Sequence, residues 1–529
     1  MFALPSHPRR RSAARLALAA LLGPVALTAA ASAQDIGRDA PFIDGAAKPA
    51  NDAALPARPT PPGLTTLGAD LYPAGRQHVM PPVAGEFFMI EDMLETGGAT
   101  RLQTGVVQPT VVNAMFDGTW SRGADGRWVW ALEITSPGSK GLRARITDWN
   151  PPAGSELIVY DPRSIDSVQP AFTPENREVG RRLWTPTIWG DTLRIELVLP
   201  AGIQDIPDAA YLKVDSVVNC YINPMDPVGG PGPGTALACH IDWRCDGDYA
   251  AAGDAVALYH YVGDGFSFIC TGALLNRTNS DFTPLLMTAW HCGVRDNNAD
   301  TVEVYWRYQT SACGGTIPNV NTLTRSNGVH LLHNDSGTDW TLLGLDGTGA
   351  ANQYLGWDAG GLANGTDMVA IHHPRGTFKK ITYMTKTGNI TSCIPADGFA
   401  HVIDNGDGEI EPGSSGGPIL DPSFRVRGTG SCANWGCGSG NNATYGRLDL
   451  AYPNLAPWLS PASEVFVNSG YNGVERGTPT QPFDHFLDAT FAVAEGGTVA
   501  LDSGTYSGAR TFTKAMTLES TGGSVTIGN

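Results

Sequence analysis

The 529-residue chain carries a formal net charge of −17, with only 16% charged residues but 64 glycines and 38 prolines. At ~100–200 residues per domain that length predicts two to four domains, and a hydrophobic content of 42% argues against wholesale disorder. An acidic surface repels phosphate backbones, so nucleic acid is not an expected partner, and abundant turns with few long charged helices point to an all-β chain.

In chain order, residues 1–33 read as a signal peptide. Arg9, Arg10, Arg11 and Arg15 form a basic start, residues 16–30 an apolar run, and Ala31-Ser32-Ala33 a cleavage signature, placing the mature start near Gln34. The apolar run is shorter than the ~20 residues that span a bilayer. A secreted product, extracellular or periplasmic and free of the membrane after signal cleavage, is expected. Residues 34–84 are rich in Ala, Pro and Gly without periodicity and read as a mobile segment.

Strand signals recur through 85–222, which reads as a β-sandwich-like domain. Leu193-Arg194-Ile195-Glu196-Leu197-Val198-Leu199 alternates like a half-buried strand. Residues 223–236 are dominated by Pro and Gly, which no helix or central strand tolerates, so they form a linker and a processing region. The block 237–460 is again strand-rich. After Pro461 the character changes, and 461–529 read as a separate small appendage.

Nine cysteines lie between 220 and 437. In an exported chain they are expected to form disulfides, and their scatter through strand-like sequence argues against zinc. The odd count leaves one thiol, assigned to Cys220, which stands apart upstream of the linker. His372-His373 would point to opposite faces of a strand and make poor joint ligands. No metal and no organic cofactor is expected.

Two stretches carry chemistry. The first is Leu285-Leu286-Met287-Thr288-Ala289-Trp290-His291-Cys292-Gly293, the second Glu411-Pro412-Gly413-Ser414-Ser415-Gly416-Gly417-Pro418. Amide hydrolysis needs a nucleophile, a base and donors for the oxyanion. The glycines around Ser415 permit a tight turn that aims the N–H groups of Gly413 and Ser415 at developing charge. An imidazole is the side chain best suited to take and return a proton in such chemistry, so His291 suits the base. Asp339, leading into the apolar Trp340-Thr341-Leu342-Leu343, suits the carboxylate that fixes the imidazole tautomer; Asp335, on a more solvated turn, is its competitor.

These residues, with Cys270-Thr271-Gly272, Val304-Tyr305-Trp306-Arg307-Tyr308-Gln309, Ile371-His372-His373-Pro374 and Tyr445-Gly446-Arg447, resemble the trypsin-like serine protease superfamily, and more closely the secreted bacterial lysyl endopeptidases. The resemblance implies a trypsin-like double β-barrel domain with its cleft between the barrels. It also implies disulfides Cys270–Cys292, Cys245–Cys313, and Cys239 to either Cys432 or Cys437, with Cys393 taking the other. Lysine-selective relatives place an acid two residues before Tyr-Gly-Arg, where this chain has Ala443, and their flanking aromatic and histidine partners are missing. Glu409, six residues before Ser415, falls where trypsin-like enzymes place the residue at the floor of the primary pocket, and a carboxylate there would pair with a Lys or Arg side chain of a substrate.

Many animal relatives have an aspartate before the nucleophile, paired with a freed N-terminus. Here the position is Ser414, so that switch cannot operate, and the sandwich is expected to act as a propeptide that assists folding or covers the cleft, cut between about 223 and 238. The tail resembles the opening turns of pectate-lyase-like parallel β-helices. A β-sandwich-like propeptide domain, the double barrel and a short β-helix-like segment thus make a secreted, monomeric serine endopeptidase zymogen acting on protein or peptide substrates. The rivals are a non-catalytic protease-fold binding or adhesion protein and a carbohydrate-surface protein defined by the tail.

Overall fold

The computed structural model describes residues 40–49, 61, 76–83, 101–170, 172–174, 182–205, 211–224, 236–347, 351–391, 393–404, 406–507, 512 and 514–528. All of them belong to one compact unit, Asp39–Asn529. The leader and its cleavage signature, and residues 225–235 of the linker, lie outside the described residues.

Antiparallel β-structure dominates. Apolar strands joined by Gly-rich turns bury their backbone groups only by pairing. In the second half of the protease block this produces closure. Asp367–His372, Lys380–Ile390, Gly398–Ile403, Asn441–Arg447, Arg425–Ala433 and Pro418–Leu420 pair in succession, and the last pairs with the first. The first half is a more open curl. Val256–Gly263 pairs with Phe266–Leu275, followed in space by Leu285–Ala289, Trp340–Leu345 and Val329–Asp335, all antiparallel. One apolar cluster runs between the halves, from Tyr259 and Leu286 to Ile371 and Val426.

The upstream sandwich is joined to this frame through its backbone. Leu102–Asn113 pairs antiparallel with Phe266–Leu275, so that Ile269 faces Leu102 and Phe266 faces Val106. The same strand pairs with Lys213–Cys220, which pairs with Gly141–Thr147. The second sheet of the sandwich comprises Arg76–Val79, Thr119–Arg122, Trp128–Thr135, Thr192–Val198 and Glu156–Tyr160. Trp130, Trp149, Leu193, Ile195 and Leu197 fill the space between the sheets.

Three expectations need correction. Residues 34–84 were expected to be mobile, yet Phe42–Ile43 pairs with Gly356–Asp358 and Ala46–Ala47 with Gln353–Tyr354. Edge strands there accept any chain able to pair, which apolar periodicity does not reveal; Arg425 stacks over Phe42 and bonds Asp44. Thr192–Val198 is buried on both faces beyond its first residue. Its charges survive burial because Arg194 donates to Glu196 (2.7 Å) and Glu133 (2.8 Å), while Tyr160 donates to Glu196 (2.6 Å).

The tail, third, is not separate. Ala462–Val467, Val493–Leu501 and Thr517–Ser520 form a parallel sheet, in keeping with a β-helix-like segment. The helix Phe486–Ala492 joins the apolar cluster of the barrels. Phe491 lies against Gly344, where even a Cβ would come within 2.6 Å of the ring. The wholly buried Arg277 donates to the carbonyls of Ala492 (2.9 Å) and Val493 (3.2 Å).

Candidate active site

His291 lies in a short 3-10 turn, Trp290–Cys292, directly after the strand Leu285–Ala289. Gly293 ends the turn at φ +84°, and Cys292 is bridged to Cys270 on the neighbouring strand. Asp339 lies just before Trp340–Leu345, the strand paired with that of His291. Asp339 has φ +58°, a left-handed backbone that an aspartate tolerates better than most residues. The turn is secured by Asp335, which accepts from Gly337 N (2.8 Å) and Thr338 Oγ1 (2.7 Å). Asp335 thus shapes the loop, and Asp339 reaches the ring.

The contact is extensive. His291 Nδ1 donates to Asp339 Oδ2 at 2.9 Å and His291 N to Oδ1 at 2.9 Å, while Trp290 N donates to the Asp339 carbonyl at 3.1 Å. With Nδ1 as donor the neutral ring keeps its lone pair on Nε2. That atom is buried and has no hydrogen-bond partner among the described residues. Ser431 Oγ donates to Asp339 Oδ2 at 2.5 Å. Sequence reasoning missed Ser431; a serine inside a strand, Arg425–Ala433, has no local mark, and only the fold brings it to the carboxylate.

Ser415 is 8% exposed and is held by the other half. Its carbonyl accepts from Thr271 N (2.8 Å), Gly413 O accepts from Thr271 Oγ1 (2.8 Å), and Gly416 N donates to Gly430 O (2.8 Å). Two glycines are indispensable. At Gly413 (φ +95°) a Cβ would sit 2.9 Å from His373 O, and at Gly416 (φ +83°) 2.1 Å from Thr288 Oγ1. Thr271 adjoins Cys270 and Thr288 lies three residues before His291, so the serine turn is packed onto the strands that carry the histidine. No hydrogen bond joins Ser415 Oγ to His291 Nε2 in this structure. Among the described residues, the N–H groups of Gly413 and Ser415 make no hydrogen bond to the protein.

Glu409 is wholly buried. Its carboxylate accepts from Ile410 N (2.8 Å), Gly436 N (3.2 Å) and Asn441 Nδ2 (2.5 Å). Burial raises its pKa above the ordinary carboxylate range, against those three hydrogen bonds. Ala443 is buried in the strand Asn441–Arg447, opposite His401. The two histidines at 372 and 373 diverge. His372 meets Ser414 Oγ (2.6 Å) and Thr382 Oγ1 (3.0 Å), and His373 Nδ1 donates to Thr377 O (2.9 Å). Both are structural contacts.

The disulfides are Cys239–Cys437, Cys245–Cys313, Cys270–Cys292 and Cys393–Cys432, so Cys239 takes Cys437. Cys220 is a buried free thiol. No described helix is long and apolar enough to cross a membrane.

The profile described as lysyl endopeptidase, C-terminal domain, matches residues 233–446, and that of the lysyl endopeptidase N-terminal domain matches residues 98–218. A lysyl endopeptidase of Pseudomonas aeruginosa is 32% identical over 359 residues, covering 62% of this chain and 74% of the relative. Among solved structures, the HtrA-type protease AlgW with tripeptide aligns at 19% identity and a TM-score of 0.30, over 40% of this chain and 62% of that one. The Rv3671c protease of M. tuberculosis aligns at 17% identity and a TM-score of 0.30, over 43% and 93%. The chain thus spans less than two thirds of AlgW. The matches to the lysyl endopeptidase profiles and to the Pseudomonas relative define a serine endopeptidase. Both of its large domains match one family, and the chain belongs to the lysyl endopeptidases.

Proposed function

We propose that the chain hydrolyses peptide bonds through a covalent acyl-enzyme on Ser415, with His291 as general base and acid and Asp339 as the carboxylate behind it. The observation that carries this reading is the bidentate grip of Asp339 on His291, through Nδ1 and the backbone N–H. That grip selects the tautomer with a basic Nε2.

Ser415 Oγ forms the new bond to the scissile carbonyl carbon as its proton passes to Nε2. The N–H groups of Gly413 and Ser415 receive the oxyanion. Collapse breaks the C–N bond, and the imidazolium returns the proton to the leaving amine. Water then repeats the attack and frees Ser415.

The substrate is a protein or peptide, and Glu409 gives a preference for a basic side chain before the cut. Lysine preference of the strict kind suggested by the relatives' name is not carried over, because Ala443 stands where such relatives have an acid. Export after cleavage near Gln34, a sandwich acting as propeptide, a cut between 223 and 238, and a monomeric product complete the proposal.

A fluorophosphonate probe tests the mechanism. Secreted wild type is expected to become labelled and Ser415→Ala to remain unlabelled. An unlabelled mature wild type would remove the enzyme reading in favour of a binding role.

A further inference from the structure

The turn that presents Gly413 N and Ser415 N needs an anchor, because its glycines at φ +95° and +83° give it no stiffness of their own. Glu411 supplies one. Its side chain is 1% exposed, and its carboxylate accepts three hydrogen bonds. Leu237 N and His240 Nε2 both reach Oε2 at 2.8 Å, and Arg375 Nε reaches Oε1 at 3.1 Å. Arg375 also ties the turn by its backbone, donating from N to the Pro412 carbonyl at 2.7 Å.

A second buried histidine grips the next residues. Ser414 Oγ meets His372 Nδ1 at 2.6 Å and accepts from Glu411 N at 3.3 Å. The rings of His240 and His372 are 5.8 Å apart, so both supports stand side by side beneath the turn. Burial lowers the pKa of His240 despite Glu411, and its Nδ1 is buried without a hydrogen-bond partner among the described residues. The ring is therefore a neutral donor through Nε2.

None of these donors precedes position 237. The segment bearing Leu237 and His240 is fixed to the second barrel independently of the linker. Cys239 is bridged to Cys437, and Ile241–Asp242 pairs with Lys380 and Ile381. A cut on the N-terminal side of residue 236, within the 223–238 window, would leave every one of these contacts in place. The carboxylate already has its donors in the continuous chain, so an arriving α-ammonium has no task to perform.

We propose that Glu411, held by Leu237 N, His240 and Arg375, fixes the nucleophile turn in its working conformation while the chain is uncut, so that cleavage of the linker does not build the site. This deepens the triad reading above and rests on it. Glu411 and His240 are positioning residues, acting on the backbone that carries Gly413 N and Ser415 N.

The test uses the full secreted chain, reacted with a fluorophosphonate during a time course and resolved by gel into uncut and cut bands. Equal labelling rates on the two bands, within about threefold, are expected at neutral pH, where the cut chain keeps its sandwich docked and any cover over the cleft is the same for both. Labelling confined to the cut band would overturn the proposal and leave the triad standing, whereas no labelling of either band would remove the triad as well. Independently, His240→Ala is expected to lower kcat about tenfold, less than the ~10²–10³ of losing an oxyanion donor outright, with KM unchanged. His240→Gln, which keeps a donor at that reach, should restore it. An unaltered kcat in His240→Ala, or no rescue by Gln, would also overturn the proposal.

Discussion

A buried carboxylate without a cation is costly, and Glu409 has no cationic partner among the described residues. Its three donors are two backbone N–H groups and an amide, and burial holds its pKa above the ordinary range. A Lys or Arg side chain of a substrate would bring the missing charge. Replacing Glu409 by Ala should therefore lower kcat/KM for basic substrates by about 10²-fold while leaving apolar substrates unchanged. The acid limb follows from the sign of the shift. Pairing needs the ionised form, and a raised pKa means that the charge is lost at a higher pH than for an ordinary glutamate. Wild type should thus lose kcat/KM on acidification earlier for a basic peptide than for a neutral one. Peptide-library profiling across pH checks both, and an unchanged profile in Glu409→Ala would end the basic preference.

At the level of elements, the helix Phe486–Ala492 couples the tail to the first barrel through Phe491 on Gly344 and Arg277 on the helix end. Phe491→Ala should lower the stability of the whole protein by about 3 kcal/mol, seen as a shift of a single urea midpoint, with kcat within twofold of wild type. A midpoint that stays put would mean that the tail unfolds on its own. This coupling was not legible in the sequence, because Gly344 in an apolar strand has no feature announcing that an aromatic ring will rest on it. The short N-terminal strands at Phe42 and Ala46 escaped notice for a related reason: two-residue pairings leave no periodicity. Ser431 and the anchoring role of Glu411 were hidden likewise, since each acts only through partners distant along the chain. His291, Ser415 and the cysteines were legible because their chemistry restricts residue type within a few positions. Asp339 could be separated from Asp335 by the apolar run that follows it, which signals burial.

On the scale of the whole molecule, the sandwich and the barrels meet through a shared strand and a buried polar centre. His260 bridges them, with Nε2 3.1 Å from Thr104 Oγ1 and Nδ1 2.9 Å from Thr187 Oγ1. Around it, Arg325 donates to the Thr187 carbonyl and to Glu303 Oε1, Thr187 N donates to Glu303 Oε2 (3.0 Å), and Asn321 pairs with the backbone of Trp189. These contacts fall on the flank of the first barrel, and none of them involves His291, Asp339 or Ser415. Burial, then Arg143, lowers the His260 pKa to about 3 from 6.5, so docking requires the neutral ring. A His freed by undocking takes up a proton below its ordinary pKa, so the docking contribution is complete above about pH 6.5 and declines as pH falls toward 3. Burial would raise the Glu303 carboxyl, but Arg325 and Arg143 outweigh it and hold it below the ordinary range; its own contribution is lost only at still lower pH. Between about pH 7.5 and about pH 5, His260 alone should weaken docking by about 2 kcal/mol, roughly thirtyfold. In linker-cut protein the two parts should thus remain together on size exclusion at neutral pH and separate on acidification at low concentration, whereas His260→Gln should largely abolish that dependence. Equal dissociation constants at neutral pH and near pH 5 in wild type, or the same acid sensitivity in His260→Gln, would rule His260 out as the group that links docking to pH.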